Sequence, residues 1–163
     1  MNNPVIKDSG EKLVVQNKKA RFDYHIIDTF EAGIVLTGSE IKSMRLGEVS
    51  ISESYIRPDK GEIFLISAHI KPYSFDSNKD YDPTRKRKLL MHKHEIEKLQ
   101  GNVDQKGLTI VPLRIYFKRG RAKIEIALAK GKDAPDKRQT AKDRDSQREI
   151  ARAIRGKPKD RSR

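Results

Sequence analysis

Four arginines near the C-terminal end of this chain, Arg144, Arg148, Arg152 and Arg155, are spaced four, four and three residues apart. Coiled into a helix, that spacing sets four guanidinium groups along one face, and a guanidinium fork matches the oxygens of a phosphate. Ala141, Ala151 and Ala153 favour such a helix, while Gly156 and Pro158 end it. Two further basic runs, Lys18-Lys19-Ala20-Arg21 and Arg85-Lys86-Arg87-Lys88, are interleaved with Phe22, Tyr24 and Leu90. Cations that hold phosphates, set beside flat or apolar side chains that meet unstacked bases, are the chemistry of RNA binding. A charge run without such neighbours only coats a solvated surface.

The residue types that carry catalysis are poorly placed. The histidines are His25, His69, His92 and His94, and no pair has the spacing of a helical zinc motif. His92 and His94 could share a face only in an extended segment, with no third ligand close in sequence. Cysteine is absent, which removes disulfides, thiolate nucleophiles and thiolate metal sites. No glycine-rich nucleotide loop of either common kind occurs. His25, Glu31 and Glu53 could form a ribonuclease only if folding brought them together. The expectation is therefore a non-enzymatic binding protein with no catalytic residue, no metal and no cofactor.

The chain has 163 residues and a formal net charge of +13, with a pI near 9.9. Residues 130–163 hold thirteen Lys/Arg against six Asp/Glu, so this stretch carries +7 of that total, with Ile150 and Ile154 as its only large aliphatics. Such a segment cannot offset the entropy of ordering itself by burial. The expected division is a flexible arm over 1–12, an RNA-binding β-barrel domain over 13–130, and a basic tail over 131–163 that is disordered when free. No apolar run approaches the roughly 18 residues of a membrane span, and the apolar face of the tail is too poor for a membrane surface. The protein is expected to be soluble, cytoplasmic, unexported and monomeric, with polyphosphate as its partner.

These groups need elements to position them. Phe22, Tyr24 and Ile26 alternate with Asp23 and His25, which predicts a strand running to Phe30. Glu31-Ala32-Gly33 reads as a turn, and Ile34–Leu36 as a return to extended structure. Thr37-Gly38-Ser39 offers an N-cap for a helix over Glu40–Leu46, closed by Gly47, with Ile41, Met44 and Leu46 inward. Val49–Ile56 and Glu62–Ile70 flank the turn Pro58-Asp59-Lys60-Gly61. A loop follows over Lys71–Thr84, then a short strand at Leu89–Met91 and a helix through His94, Ile96, Leu99 and Val103. The clearest element is a hairpin of Leu108–Lys118 and Arg121–Ala129 around Arg119-Gly120. Its period of two assigns Leu113, Ile115, Phe117, Ala122, Ile124, Ile126 and Leu128 to one face, and Arg114, Tyr116, Lys118, Arg121 and Lys123 to the other. Pro112, lacking an amide hydrogen, should mark an edge or bulge. The fold class is mainly β: a small closed barrel resembling oligonucleotide-binding folds, with two or three flanking helices.

Six segments occur in order: Asn17-Lys-Lys-Ala-Arg, Phe30-Glu-Ala-Gly-Ile, Gly38-Ser-Glu-Ile-Lys-Ser-Met-Arg, Asp82-Pro-Thr-Arg-Lys-Arg-Lys-Leu-Leu, Ala129-Lys-Gly-Lys and Asp136-Lys-Arg. Together they resemble the SsrA-binding protein family, also called small protein B, from about Val14 into the tail. The resemblance implies a bacterial adaptor that binds transfer-messenger RNA and delivers it to stalled ribosomes for trans-translation. Its partners would be that RNA, the ribosomal RNA of the decoding centre and messenger channel, and elongation factor Tu indirectly, through the charged RNA. A generic ribosomal or RNA-binding protein, indifferent to the tRNA-like domain, is the alternative. Carried over by motif, Asn17, Lys18, Glu31 and Leu90 resemble RNA-facing positions, as do Tyr24, Gly33 and Lys88. Lys19 and Arg21 join them from the basic run. Asp136, Lys137 and Arg138 resemble the start of the ribosome-engaging tail, extended by Lys142, Arg144, Arg148 and Arg152, which becomes helical on the ribosome. Glu31 can accept hydrogen bonds from base amino or ribose hydroxyl groups. Phe22 stands where the family commonly has His or another polar residue, and Pro135 where an aromatic or His is common.

Overall fold

The longest alternation of apolar and polar residues forms an antiparallel hairpin. Strands β8 (Thr109–Lys118) and β9 (Arg121–Gly131) meet at Arg119 and Gly120, whose φ angles of 52° and 76° give the left-handed two-residue turn that suits the twist of a hairpin. The computed structural model describes residues 10–156. In chain order the other elements are β1 (Glu11–Gln16), α1 (Lys18–Asp23), β2 (Tyr24–Ile34), α2 (Gly38–Arg45), β3 (Val49–Ser50), β4 (Tyr55–Asp59), β5 (Glu62–Ile66), β6 (His69–Ile70), β7 (Arg87–Leu90), α3 (Lys93–Lys106) and α4 (Ala134–Arg155). The chain divides into two compact units, one ending at Gly131 and the other starting at Lys132.

The first unit is mainly β, a seven-stranded antiparallel sheet with several helices. From β8 each strand bonds to the next through β4, β5, β7 and β2 to β9, and β9 bonds back to β8. β9 lies along one edge of β8. The other edge is shared by β1, on Arg114–Lys118, and β4, at Ile110. β3 and β6 form a separate two-stranded sheet. The expected long strands break into these pieces because Ser54 turns back to bond the Ile51 carbonyl and Ser67 takes a φ of 63°.

The main core gathers Ile63, Leu65, Leu89, Leu99, Ile110, Ile115, Ile124 and Ile126, all at 1 % exposure or less. Each such side chain contributes about 1.5–3 kcal/mol through burial. A second, smaller cluster of Ala20, Val111, Leu113, Ala127 and Ala129, with Tyr24 and Ile26 packed on it, lies apart from the first. It exists because the β8–β9 register shifts between Pro112 and Arg114, and the β2–β9 register between Ile26 and Asp28. A one-residue shift turns side chains to the opposite face. Leu113, expected beside Ile115 and Phe117, therefore packs in the second cluster instead.

Four other expectations are corrected. Phe22 belongs to α1, and the strand begins at Tyr24, because Asn17 caps the helix: its Oδ1 accepts from the Ala20 amide. Glu31, Ala32 and Gly33 are no turn; they continue β2, opposite Glu125, Ile124 and Lys123 of β9. Leu46 is exposed, since α2 ends at Arg45 and only Met44 of its apolar positions is fully buried. Residues 1–9 of the expected arm lie outside the described residues, while Glu11 and Lys12 already pair with β8.

In the second unit, α4 runs 22 residues from an Asp133 N-cap, with Pro135 in its first turn, where a missing amide hydrogen costs nothing. None of its residues is buried. Gln139 is bonded to Asp143 and Arg148 lies beside Asp145, side-chain pairs about one helical turn apart.

Candidate nucleic-acid interface

β2 carries two clusters of candidate residues on its outer face, one at each end. At the C-terminal end, Glu31 and Gly33 point away from the core that Phe30, Ala32 and Ile34 enter. Gly33 lies opposite Leu90 of β7, and a Cβ built on Gly33 would stand 3.3 Å from Leu90 Cβ. The missing side chain is what lets Leu90, 56 % exposed, sit over β2. Glu31, Gly33 and Leu90 line one groove with His92, Glu95 and Lys123. A neighbouring one joins Glu31 to Lys118, Arg119, Arg121 and Lys123 at the tip of the β8–β9 hairpin.

Glu31 is held firmly. Its Oε2 accepts a short hydrogen bond from the Tyr116 hydroxyl and a 3.5 Å contact from Lys118 Nζ. The Tyr116 bond keeps the Glu31 carboxyl below its ordinary range, with Lys118 and Lys123 adding to the effect against burial. Tyr116 lies on the face expected for it, with Arg114 and Lys118, but its neighbours there cover it to 1 % exposure. Its ring lies 4.2 Å from the Arg114 guanidinium, which is anchored by Glu11 and Glu125. Burial and the Glu31 carboxylate both push the Tyr116 hydroxyl up, so it stays protonated and donating.

At the N-terminal end, α1 places Lys18, Lys19 and Arg21 at the surface beside Tyr24, which is half-buried. Lys19 pairs with Glu53, which raises its pKa. Asn17 is buried: besides capping α1, its Nδ2 donates to the Pro112 carbonyl and its backbone amide to Leu113. Its side chain fixes α1 on β8 rather than facing solvent. A cleft here is lined by Lys19, Asp23, Tyr24, Ser52, Glu53 and Tyr55. Nine residues of strand at about 3.3 Å each separate Tyr24 from Gly33, so the two clusters are at most about 30 Å apart along β2. On β7, Lys88 pairs with Glu62, and just before the strand Lys86 sits 4.2 Å over the Phe64 ring.

The candidate nuclease set is not assembled. Glu53 is engaged by Lys19, Glu31 by Tyr116, and His25 lies six residues along β2 from Glu31, about 20 Å of strand. Among the described residues no group of three or more His, Cys, Asp or Glu could hold a metal ion, and no helix is long and apolar enough to cross a membrane. The His92 and His94 rings stack on each other at 5.6 Å. In the second unit, α4 carries Asp136, Lys137, Arg138, Lys142, Arg144, Arg148 and Arg152 with no buried position. Residues that sequence reasoning placed on a basic face without assigning them to the site are Lys118, Arg121 and Lys123. Tyr116 was missed as a partner of Glu31, because nothing local links residues 85 positions apart.

The family model described as "SmpB protein" matches residues 14–156. SsrA-binding proteins of Geobacter metallireducens and of a Sulfurihydrogenibium species are 53 % and 54 % identical over 150 residues, covering 92 % of this chain and 98 % and 99 % of theirs. A solved chain described as "tmRNA-SmpB: a journey to the center of the bacterial ribosome" is 52 % identical with a TM-score of 0.62, over 74 % of this chain and 85 % of that one. With its motif order, its sheet and near-complete alignment in agreement, the chain belongs to the SmpB protein family.

Proposed function

We propose that this chain binds transfer-messenger RNA and brings it to stalled ribosomes for trans-translation, as a non-enzymatic adaptor. Family membership supports the reading, and the groove of Glu31 and Leu90 beside Lys118, Arg121 and Lys123 carries it chemically. Cations there hold phosphates, Leu90 offers an apolar surface to a base, and one carboxylate accepts from a base or ribose donor. Two clusters at opposite ends of the 11-residue β2 fit a large folded RNA better than a short single strand. The cyclic pairing from β8 round to β9 supports reading the body as a small barrel of the oligonucleotide-binding kind, built from residues 13–130.

In this reading Lys18, Lys19, Arg21, Tyr24, Glu31, Gly33, Lys88 and Leu90 form the RNA surface, and Asn17 positions α1 beneath it. The tail of residues 131–163 engages ribosomal RNA in the decoding centre and messenger channel through its arginine face. Elongation factor Tu is met through the charged RNA, the protein acts as a monomer, and it works in the cytoplasm. Gel-shift titration against a transcript of the tRNA-like domain, with bulk tRNA as competitor, tests this. Retention of the transcript under excess tRNA supports the reading; easy displacement supports the generic RNA binder.

A further inference from the structure

Glu31 presents a physical problem for any anion-binding surface. It is a carboxylate placed among Lys118, Arg121 and Lys123, where it opposes the phosphate field, and Lys118 alone could neutralise it. The protein instead commits a nearly fully buried tyrosine to it. Tyr116 bonds Oε2, as does Lys118, and no described group bonds Oε1, in a side chain 39 % exposed. An ammonium on a flexible stem sets charge without setting direction. A phenol locked in a packed strand sets direction: Tyr116 lies in the middle of β8, opposite Lys123 of β9, with Arg114 against its ring.

We propose that Tyr116 is a positioning residue that holds the Glu31 carboxylate oriented, so that Oε1 is presented as a hydrogen-bond acceptor to the RNA. The ligand group is a donor, an exocyclic amino group of a base or a ribose 2′-hydroxyl, while phosphates go to the lysines and arginines around it. The groove thereby selects RNA surface by its donors, a property phosphate contacts cannot supply. The reading of the groove as the RNA site is assumed.

The test uses the full chain and a transcript of the tRNA-like domain, with Tyr116→Phe, Glu31→Ala and the double variant titrated at several salt concentrations. Tyr116→Phe keeps the ring and removes the donor. The expected result is a loss of about tenfold in affinity, the scale of one hydrogen bond to a charged group. The slope of log affinity against log salt should be unchanged, because no phosphate contact is lost. In the Glu31→Ala background Tyr116→Phe should have no further effect. Native affinity in Tyr116→Phe with weakened binding in Glu31→Ala overturns the positioning role and leaves the RNA site standing. Additive losses, or a reduced salt slope, also overturn it by assigning Tyr116 a general structural part. Native affinity in both single variants rejects the site itself. Thermal midpoints of all variants, read in parallel, identify any loss that comes from unfolding.

Discussion

Gly33 is the residue on which the shape of the groove turns. A methyl group there meets Leu90 Cβ at 3.3 Å, tighter than ordinary contact, and β7 is tied at that point to β2 by only two paired residues. Gly33→Val should displace Leu90 and lower affinity for the tRNA-like domain by tenfold or more, about 1.4 kcal/mol, with native far-UV circular dichroism; undiminished binding would remove Gly33 from the site. Glu31→Arg and Leu90→Asp should each weaken the same complex strongly in gel shifts, the first by removing the acceptor and the second by placing a carboxylate against RNA. Sequence reasoning reached Glu31 and Leu90 by motif, yet took Glu31-Ala32-Gly33 for a turn. A glycine within a strand signals close approach of another chain segment as readily as it signals a turn, and only the position of Leu90 decides which.

At the scale of elements, α2 and β7 are joined by a buried ion pair that positions the polar loop over residues 71–84. Glu40 completes a capping box with Thr37 and receives both Arg85 and Arg87, while Arg87, fully buried, also bonds the carbonyls of Ala68 and Pro83 and the Tyr81 hydroxyl. Burial pushes the Glu40 carboxyl up, but the Thr37 amide and the two arginines outweigh it and hold the carboxyl below its ordinary 4.5. A carboxyl depressed in the folded state stabilises above its unfolded pKa and loses that contribution as pH falls through the folded one. Urea midpoints should therefore be insensitive to Glu40 protonation above about pH 5 and drop progressively below it. Glu40→Gln should flatten part of that drop. Arg87→Met leaves the carboxylate buried with fewer partners and should cost roughly 3–5 kcal/mol in urea unfolding at pH 7; a loss under about 1 kcal/mol would mean that the pair is solvated. An N-cap was legible in Thr37-Gly38-Ser39, whereas Arg85-Lys86-Arg87-Lys88 read as one basic run suited to RNA, with nothing to mark Arg87 as the buried member. Asn17→Ala belongs here too. It removes a cap and a tie to β8, and should lower stability by roughly 1–2 kcal/mol while weakening RNA binding through α1.

For the molecule as a whole, the two units predict separable functions. A chain ending at Gly131 should keep affinity for the tRNA-like domain within about threefold, under 1 kcal/mol, yet fail to support peptide tagging on stalled ribosomes; tagging by the truncated chain would remove the tail's role. Because α4 buries no residue, its helix rests on local preference and weak side-chain pairs. The circular-dichroism difference between full and truncated chains should gain helical signal when a polyphosphate RNA is added at low salt, and lose it at high salt. A difference signal insensitive to both would show that neutralising the arginines is irrelevant to the helix.

What the sequence determined alone is what depends on near neighbours: the alternation that makes β8 and β9, the cap and αL glycine that bound α2 and α3, and the arginine spacing of α4. It also marked Pro112 as an edge or a bulge, because a residue without an amide hydrogen cannot complete a ladder, and the register shifts just after it. The tertiary structure decided which charges are buried and which are offered. Arg87 enters the interior and Lys88 does not; Asn17 turns inward while Lys18 stays outside; Tyr116 is covered on its basic face while it holds a carboxylate from β2. The inward placements of Arg87, Asn17 and Tyr116 depend on partners 19 to 95 residues away, and the energy of a polar group is set by the partner and dielectric that folding supplies, quantities that local sequence does not contain.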